Sequence, residues 1–308
     1  MYKRILVPLD GSTYAEHALP AAIAIARRAN AAIHLVRAHE PRPSASMEHG
    51  KTEEAMRRDE REYLHAAAAR AIASGANGVD VALVNGWAPA AIEREIEQVG
   101  ADLVVMTDHG RTGRGKKYLG SVTDGIVRHG HVPVLVMRGT DSAADLAHGP
   151  LFRDILIAID DADADAGVAE QAAQLGTLGD ARYTLLHVVR PALVPLHPYS
   201  YAASAVALDT GGTRARVVST HEGLTLLASR IRDRARSNGI DVAISVAENP
   251  ATAILDAVAG TTTDLVAMSR RGCGLSRLVS GSVGEQVVAS TALPILMCQT
   301  SKVEERAV

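Results

Sequence analysis

The chain has 308 residues, a length that fits two domains of about 150 residues, each large enough to bury its own hydrophobic core. Hydrophobic residues make up 47% of the chain and charged residues 22%. The formal net charge of -3 argues against membership in the class of strongly basic proteins that bind nucleic acid or anionic membranes. No apolar stretch is long enough to span a bilayer, and the chain starts directly with a strand-like run, without a signal-peptide pattern. We therefore expect a cytoplasmic protein with neither nucleic acid nor a membrane as its partner.

The first half predicts strands that alternate with helices. Apolar runs without polar alternation predict strands buried on both faces, at residues 4–9, 31–38, 79–85, 103–107 and 134–137. Helical periodicity predicts helices at residues 13–29, 51–73 and 121–129, and Pro89 marks the first turn of another. This alternation specifies an α/β fold with a doubly wound, five-stranded parallel sheet.

The second half repeats this plan. Strands are predicted at residues 154–159, 182–189, 241–246, 265–268 and 295–298. Residues 191–213 are rich in Pro, Gly, Ser and Thr, so we expect a long loop there. Gly, Pro, Asp and Ser between residues 139 and 152 predict a surface linker. The expected domains are residues 1–140 and 151–300.

The two halves also share sequence. Residues 5–10 (ILVPLD) return as residues 155–160 (ILIAID), and residues 101–106 (ADLVVM) return as residues 263–268 (TDLVAM). Asp10 and Asp160 are 150 residues apart, too far for a solenoid repeat. The chain is a tandem duplication.

A loop rich in glycine and cations follows the fourth strand. Residues 107–122 (TDHGRTGRGKKYLGSV) run into a helix N-terminus, and this combination suits a polyphosphate; a solvated surface loop is the alternative. Gly110, Gly115 and Lys116 have the spacing of a Walker A loop, but Lys117 stands where a Ser or Thr must reach Mg²⁺. No nucleophile with a base partner is evident, so we predict no catalytic residues. No histidine or acidic cluster has a metal-site spacing either.

These residues resemble a known family. The loop has Gly110, nine residues, and then Gly120-Ser121-Val122, with Thr107 where a further glycine is expected. Each half thereby resembles a universal stress protein domain, whose ATP-binding members carry Gly, two residues, Gly, nine residues, Gly and Ser or Thr. The resemblance implies an adenine nucleotide alpha hydrolase-like, Rossmann-like fold. It also implies that the halves pair through their last strands as an intramolecular pseudo-dimer.

The resemblance further implies a nucleotide site in each half. In the first half, the implied binding residues are Pro8, Asp10, Arg37, Met106, Thr107, Gly110, Gly120, Ser121 and Val122. In the second half, they are Asp160, Val188, Gly272, Gly281 and Ser282. Arg37 departs from the family, which has a small apolar residue beside the base. The second loop departs too, because Ser269 replaces a glycine and only eight residues separate Gly272 from Gly281.

The resemblance thus indicates a stress-response or signalling protein that binds nucleotide chiefly in its first half. The implied ligand is ATP, with or without Mg²⁺, and AMP or ADP are alternatives. A slow ATPase and a structural interaction protein with two degenerate sites remain open as other functions. Self-association of whole chains through edge strands is expected. Asp10 and Ser121 each have a second interpretation, as caps of the helices that follow them.

Overall fold

The computed structural model describes residues 1–40, 52–109, 119–140, 142–195, 206–235, 239–270 and 283–300. The first half contains β1 (Arg4–Pro8), α1 (Thr13–Glu16), α2 (Leu19–Ala29), β2 (Ala32–His39), α3 (Glu53–Ala73), β3 (Val79–Asn85), α4 (Ala88–Val99), β4 (Leu103–Thr107), α5 (Ser121–His129) and β5 (Val134–Met137). The second half contains β6 (Asp154–Ala158), α6 (Ala166–Gly176), β7 (Arg182–Val189), β8 (Ala192–Pro195), β9 (Val206–Asp209), α7 (Thr210–Ala235), β10 (Ile240–Val246), α8 (Pro250–Ala259), β11 (Leu265–Ser269), α9 (Val283–Ser290) and β12 (Ile295–Cys298).

Strand pairing joins both halves into one ten-stranded sheet, in the order β10-β7-β6-β11-β12-β5-β4-β1-β2-β3. Within each half of this ten-stranded sheet, neighbouring strands are parallel. The doubly wound parallel fold is therefore confirmed in both copies. In each copy the strand order reverses beside the first strand, which creates a crevice at the carboxyl ends of the strands.

The halves meet through their last strands. β5 and β12 are antiparallel, and Leu135 lies opposite Leu296 at the centre of the pairing. Two buried clusters formed by the described residues, one on each face of the sheet, each contain residues of both halves. The predicted intramolecular pseudo-dimer is confirmed, and it leaves β3 and β10 as the outer edges of this sheet.

Two predicted elements differ from the structure. The single helix expected at residues 13–29 is two helices. In a continuous helix the ring of Pro20 would clash with the carbonyl of Glu16, so α1 ends at Glu16 and α2 begins at Leu19. The loop expected at residues 191–213 contains the antiparallel pair β8–β9, and α7 already begins at Thr210. The Asp209 carboxylate accepts a hydrogen bond from the backbone N–H of Gly212 at 2.9 Å, which fixes the start of this helix despite its glycines.

Candidate functional site

The carboxyl ends of β1, β2 and β4 form an apolar wall in the first half. Leu6, Val36 and Met106 belong to the buried cluster that α4 and α5 cover. Pro8 and Ala38 follow Leu6 and Val36 by two residues and therefore face the same side of the sheet. The predicted residues Pro8 and Met106 thus lie on one face, at the point where the strand order reverses.

The strand register gives Ala38, rather than Arg37, as the counterpart of Val188. β1 pairs Pro8 with Val36, and β6 pairs Ala158 with Leu186. Ala38 and Val188 each lie two residues beyond these partners. Arg37 therefore does not lie at the position that matches Val188, and Ala38, a small apolar residue, holds that position in the first half. The sequence alone could have given this match, because Ala38 and Val188 are 150 residues apart, as are Asp10 and Asp160.

Arg37 lies on the opposite face of the sheet, beneath α3. Its Nη2 atom donates to Glu60 Oε1 at 3.2 Å, and its guanidinium lies 5.5 Å from the centre of the Tyr63 ring. Its Nη1 atom also lies where a side chain at Gly11 would begin, and Gly11 has a positive φ of 86°. Arg37 therefore packs behind the β1 turn and does not join the apolar wall. Burial and the nearby Glu16 carboxylate raise the pKa of Tyr63, which keeps this hydroxyl neutral.

His39 extends this network beneath α3. Its Nδ1 atom lies 2.7 Å from Glu60 Oε2, and its Nε2 atom lies 2.7 Å from Glu53 Oε1. The ring is almost fully buried. Sequence reasoning did not select His39, and its position two residues after Arg37 on the same face of the strand was the available signal.

Asp10 shapes the turn after β1. Its Oδ1 atom accepts hydrogen bonds from the backbone N–H of Ser12 at 2.9 Å and from the Ser12 hydroxyl at 2.6 Å. Ser12 in turn caps α1 by accepting from the N–H of Ala15 at 3.2 Å. The N-cap residue of α1 is therefore Ser12, and Asp10 positions Ser12 by accepting its two hydrogen bonds.

The two ends of the cationic loop are held together. Thr107 Oγ1 donates to the carbonyl of His109 at 2.7 Å, and Thr123 Oγ1 donates to the carbonyl of Thr107 at 2.8 Å. The N–H of Gly120 donates to the carbonyl of Asp108 at 2.7 Å. These bonds fix Thr107 beside the start of α5. The predicted residue Gly110 and the cations that follow it, residues 111–118, lie outside the described residues.

None of the described side chains caps the N-terminus of α5. Gly120 is its N-cap residue; α2, α4 and α6 likewise lack a side-chain cap, whereas serine, threonine and asparagine side chains cap α1, α3 and α8. Within the part of the chain that the structure describes, the first-turn N–H groups, including those of Ser121 and Val122, thus have no side-chain partner, as an anion site requires. Beside them, the ring of His109 is buried, and its Nε2 atom has no hydrogen-bond partner among the described residues. The interpretation of Ser121 as a helix cap is therefore wrong, because Gly120 is the N-cap residue and Ser121 is the first residue of the helix.

The second half keeps only part of this arrangement within the described residues. Val188 packs against the same cluster as Met106, and Asp160 is exposed at the end of β6. The backbone N–H of Asp160 donates to Oδ2 of Asp165, which is fully buried. The predicted residues Gly272, Gly281 and Ser282 lie outside the described residues.

An arginine from each half reaches the last helix of the other half. Arg138 donates to Asp108 Oδ2 at 3.0 Å, and it also donates to the carbonyls of Val288 at 2.7 Å and Leu293 at 3.3 Å. Asp108 is the second residue of the loop of the first half. The entrance of this loop is therefore tied to the C-terminal end of α9 through one guanidinium.

Arg270 makes the reciprocal contact. This buried side chain donates from Nη1 to the carbonyls of Val127 at 2.8 Å and Gly130 at 2.6 Å. Gln299 Nε2 donates to the same Gly130 carbonyl at 3.0 Å. Arg270 thus places a positive charge, and Gln299 an amide donor, at the C-terminal end of α5, where helix carbonyls lack partners within the helix.

Other kinds of site receive no support from the described residues. No group of three or more His, Cys, Asp or Glu side chains there could hold a metal ion. Cys298 is buried, and burial raises the pKa of its thiol to about 12, which favours the protonated thiol over the nucleophilic thiolate. None of the described helices is both long and apolar enough to cross a membrane.

The fold and the crevice together define a class: two tandem, Rossmann-like domains of the adenine nucleotide alpha hydrolase-like type. The universal stress protein family model matches residues 1–138 and again residues 151–299, so the chain belongs to the universal stress protein family as a tandem two-domain member.

Several known proteins are similar to this chain. A protein of Staphylococcus epidermidis named as a universal stress protein is 32% identical over 147 residues, which cover 47% of this chain and 89% of that protein. The crystal structure of a universal stress protein from Archaeoglobus fulgidus covers 96% of this chain and 98% of its own, with a TM-score of 0.68 and 20% identity. A universal stress protein solved in complex with cAMP is 26% identical and covers 45% of this chain and 98% of its own, with a TM-score of 0.37.

Proposed function

We propose that this protein binds an adenine nucleotide in the crevice of its first half and acts in stress response or signalling in the cytoplasm. The uncapped N-terminus of α5 beside the apolar wall of β1, β2 and β4 is the observation that carries this proposal. A base needs an apolar surface, and a phosphate needs unpaired donors. The first half offers both at one edge of the sheet.

The base lies against the wall of Pro8, Ala38 and Met106. Ala38 is only partly buried, and its side chain is a single methyl group, which matches the small apolar residue of the family pattern. Asp10 lies at the end of β1, next to this wall, and its carboxylate can accept a hydrogen bond from the ligand in addition to those from Ser12.

The phosphates lie on the N-terminal turn of α5. The N–H groups of Ser121 and Val122 and the Ser121 hydroxyl donate to them, and the positive end of the helix dipole favours their charge. A glycine at position 120 suits this role because backbone must approach the phosphate closely. The ribose bridges from the base wall toward Thr107. Gly110 and the cations of residues 111–118 complete the site in this proposal, on the strength of the family pattern alone.

The first half is the main site. Its loop has the family spacing from Gly110 to Gly120, whereas the second loop is one residue short. The apolar residue beside the base is present in both halves, as Ala38 and Val188. The difference between the halves therefore lies on the phosphate side.

Isothermal titration calorimetry of the full chain with ATP, AMP and adenosine tests the proposal. We expect ATP to bind with a stoichiometry near one per chain and more tightly than adenosine. Failure of every adenine nucleotide to bind at millimolar concentration would contradict it. Phosphate release above background, measured on the same samples, would support the slow ATPase instead of simple binding.

A further inference from the structure

The N-terminal half of α7 stands apart from the hydrophobic core. α7 has 26 residues, and its core residues lie in its C-terminal half, from Leu224 to Ala235. Residues 210–223 include no buried side chain. This part of the helix therefore presents a long surface to solvent.

That surface carries an exposed apolar residue where the matching helix of the first half carries a charge. Val218 is exposed by 53%, and two further exposed apolar residues flank this half of α7, namely Leu208 in β9, by 63%, and Leu226 in the C-terminal half of α7, by 56%. The buried residues of α3 and α7 match at an offset of 160, since Leu64 corresponds to Leu224. Position 218 then corresponds to Arg58, an ordinary solvated cation. The duplication thus shows that the fold does not require an apolar residue there.

A shallow groove runs along this face of α7. It is lined by Gly211, Arg214, Ala215, Val218, Ser219 and Glu222. At about 100° per residue, these side chains share one side of the helix, with Val218 at the middle. A lone exposed valine needs no explanation, but an apolar centre between two opposite charges is a pattern.

The pattern is self-complementary. Arg214 and Glu222 lie four residues before and four residues after Val218. A two-fold axis through Val218 places a second α7 antiparallel to the first, so that Arg214 of each copy faces Glu222 of the other. The same axis places Gly211 of one copy opposite Thr225 of the other, and the two helices can approach closely there because glycine has no side chain. It also brings Leu226 of one copy toward the N-terminal end of α7 in the other copy, next to Leu208. Isologous interfaces have this property.

We propose that this face of α7 is a homodimer interface, and that its partner is a second copy of this chain. A groove for a different protein has no reason to place its charges symmetrically about an apolar residue. The two ion pairs and the Val218 contact form a small interface, because α7 offers only its N-terminal half. The dimer is therefore concentration-dependent.

Sedimentation equilibrium of the full chain, without nucleotide, tests this inference. We expect a monomer–dimer equilibrium for the wild type. Val218→Arg copies the residue of the first half, and Arg214→Glu opposes like charges twice; each should weaken dimerisation by at least about tenfold. The double variant Arg214→Glu with Glu222→Arg exchanges the charges and should restore dimerisation.

The control is Glu54→Arg, which reverses a charge on the exposed face of α3 at the position that matches Arg214. It should leave dimerisation unchanged. All substituted residues are exposed, so circular dichroism should show unchanged folding. A monomer at every concentration, or a dimer that Val218→Arg does not weaken, would overturn the inference. Neither result bears on nucleotide binding, which calorimetry measures separately.

Discussion

Replacing Gly120 with valine tests the phosphate side of the proposed site. A side chain at this position would begin 3.2 Å from the carbonyl oxygen of Asp108 and 3.5 Å from the Cα atom of His109. The φ of Gly120 is -62°, so valine meets no backbone strain there. The valine side chain should therefore crowd the backbone of Asp108 and His109 and cover the first N–H groups of α5.

The expected loss follows from the bonds at stake. Hydrogen bonds to a charged group contribute about 1.5–3 kcal/mol each, and 1.4 kcal/mol corresponds to about a tenfold change in Kd. Losing one such bond should weaken ATP binding by at least about tenfold. Adenosine has no phosphate, so its affinity should change by less than about twofold. Calorimetry with both ligands measures this split.

Two further variants make the test specific. Gly120→Ala introduces only the tight 3.2 Å contact and should give an intermediate loss. Gly281→Val makes the matching change in the second half and should leave ATP affinity unaltered. Equal ATP affinity for wild type and Gly120→Val would refute the reasoning, provided that thermal unfolding shows both proteins folded. A loss shared equally by ATP and adenosine would show general damage to the crevice instead.

Three other predictions concern the base wall, the contact between halves and pH. Ala38→Leu should fill the wall and weaken both ATP and adenosine in calorimetry, whereas Val188→Leu should change neither. Arg270→Ala should lower the free energy of unfolding in urea by about 2–3 kcal/mol, because two buried carbonyls lose a charged donor. Burial alone raises the pKa of Glu16, but the hydrogen bond and charge of Arg70 outweigh it and hold the pKa below 4.5. Glu16→Gln should therefore cost up to about 1 kcal/mol at pH 7, and urea unfolding should show this difference vanish as the pH falls through the folded-state pKa.

The regular elements were largely predictable from sequence because their signals are local. Residues 79–85, 121–129 and 182–189 form the predicted strands and helix with the predicted bounds. Continuous apolar runs identified the buried strands, and the duplication supplied a second copy of each pattern. The pairing of β5 with β12 followed from the family resemblance and not from local pattern.

The remaining differences arise from contacts that composition and local periodicity do not reveal. Composition cannot show that Asp209 caps a helix with glycines in its first turn, so residues 206–213 were expected as loop. The choice between Arg37 and Ala38 depends on strand register, which one sequence gives only by comparison of its own halves. The contacts of Arg138 and Arg270 join residues about 140–155 positions apart, beyond the reach of any local pattern.

The most direct test of nucleotide binding in the first half is a crystal structure of the full chain grown with ATP. We predict ligand density with its base beside Ala38 and its phosphates on the first turn of α5. Density only at α9 of the second half, or an empty crevice in the presence of millimolar ATP, would contradict the account.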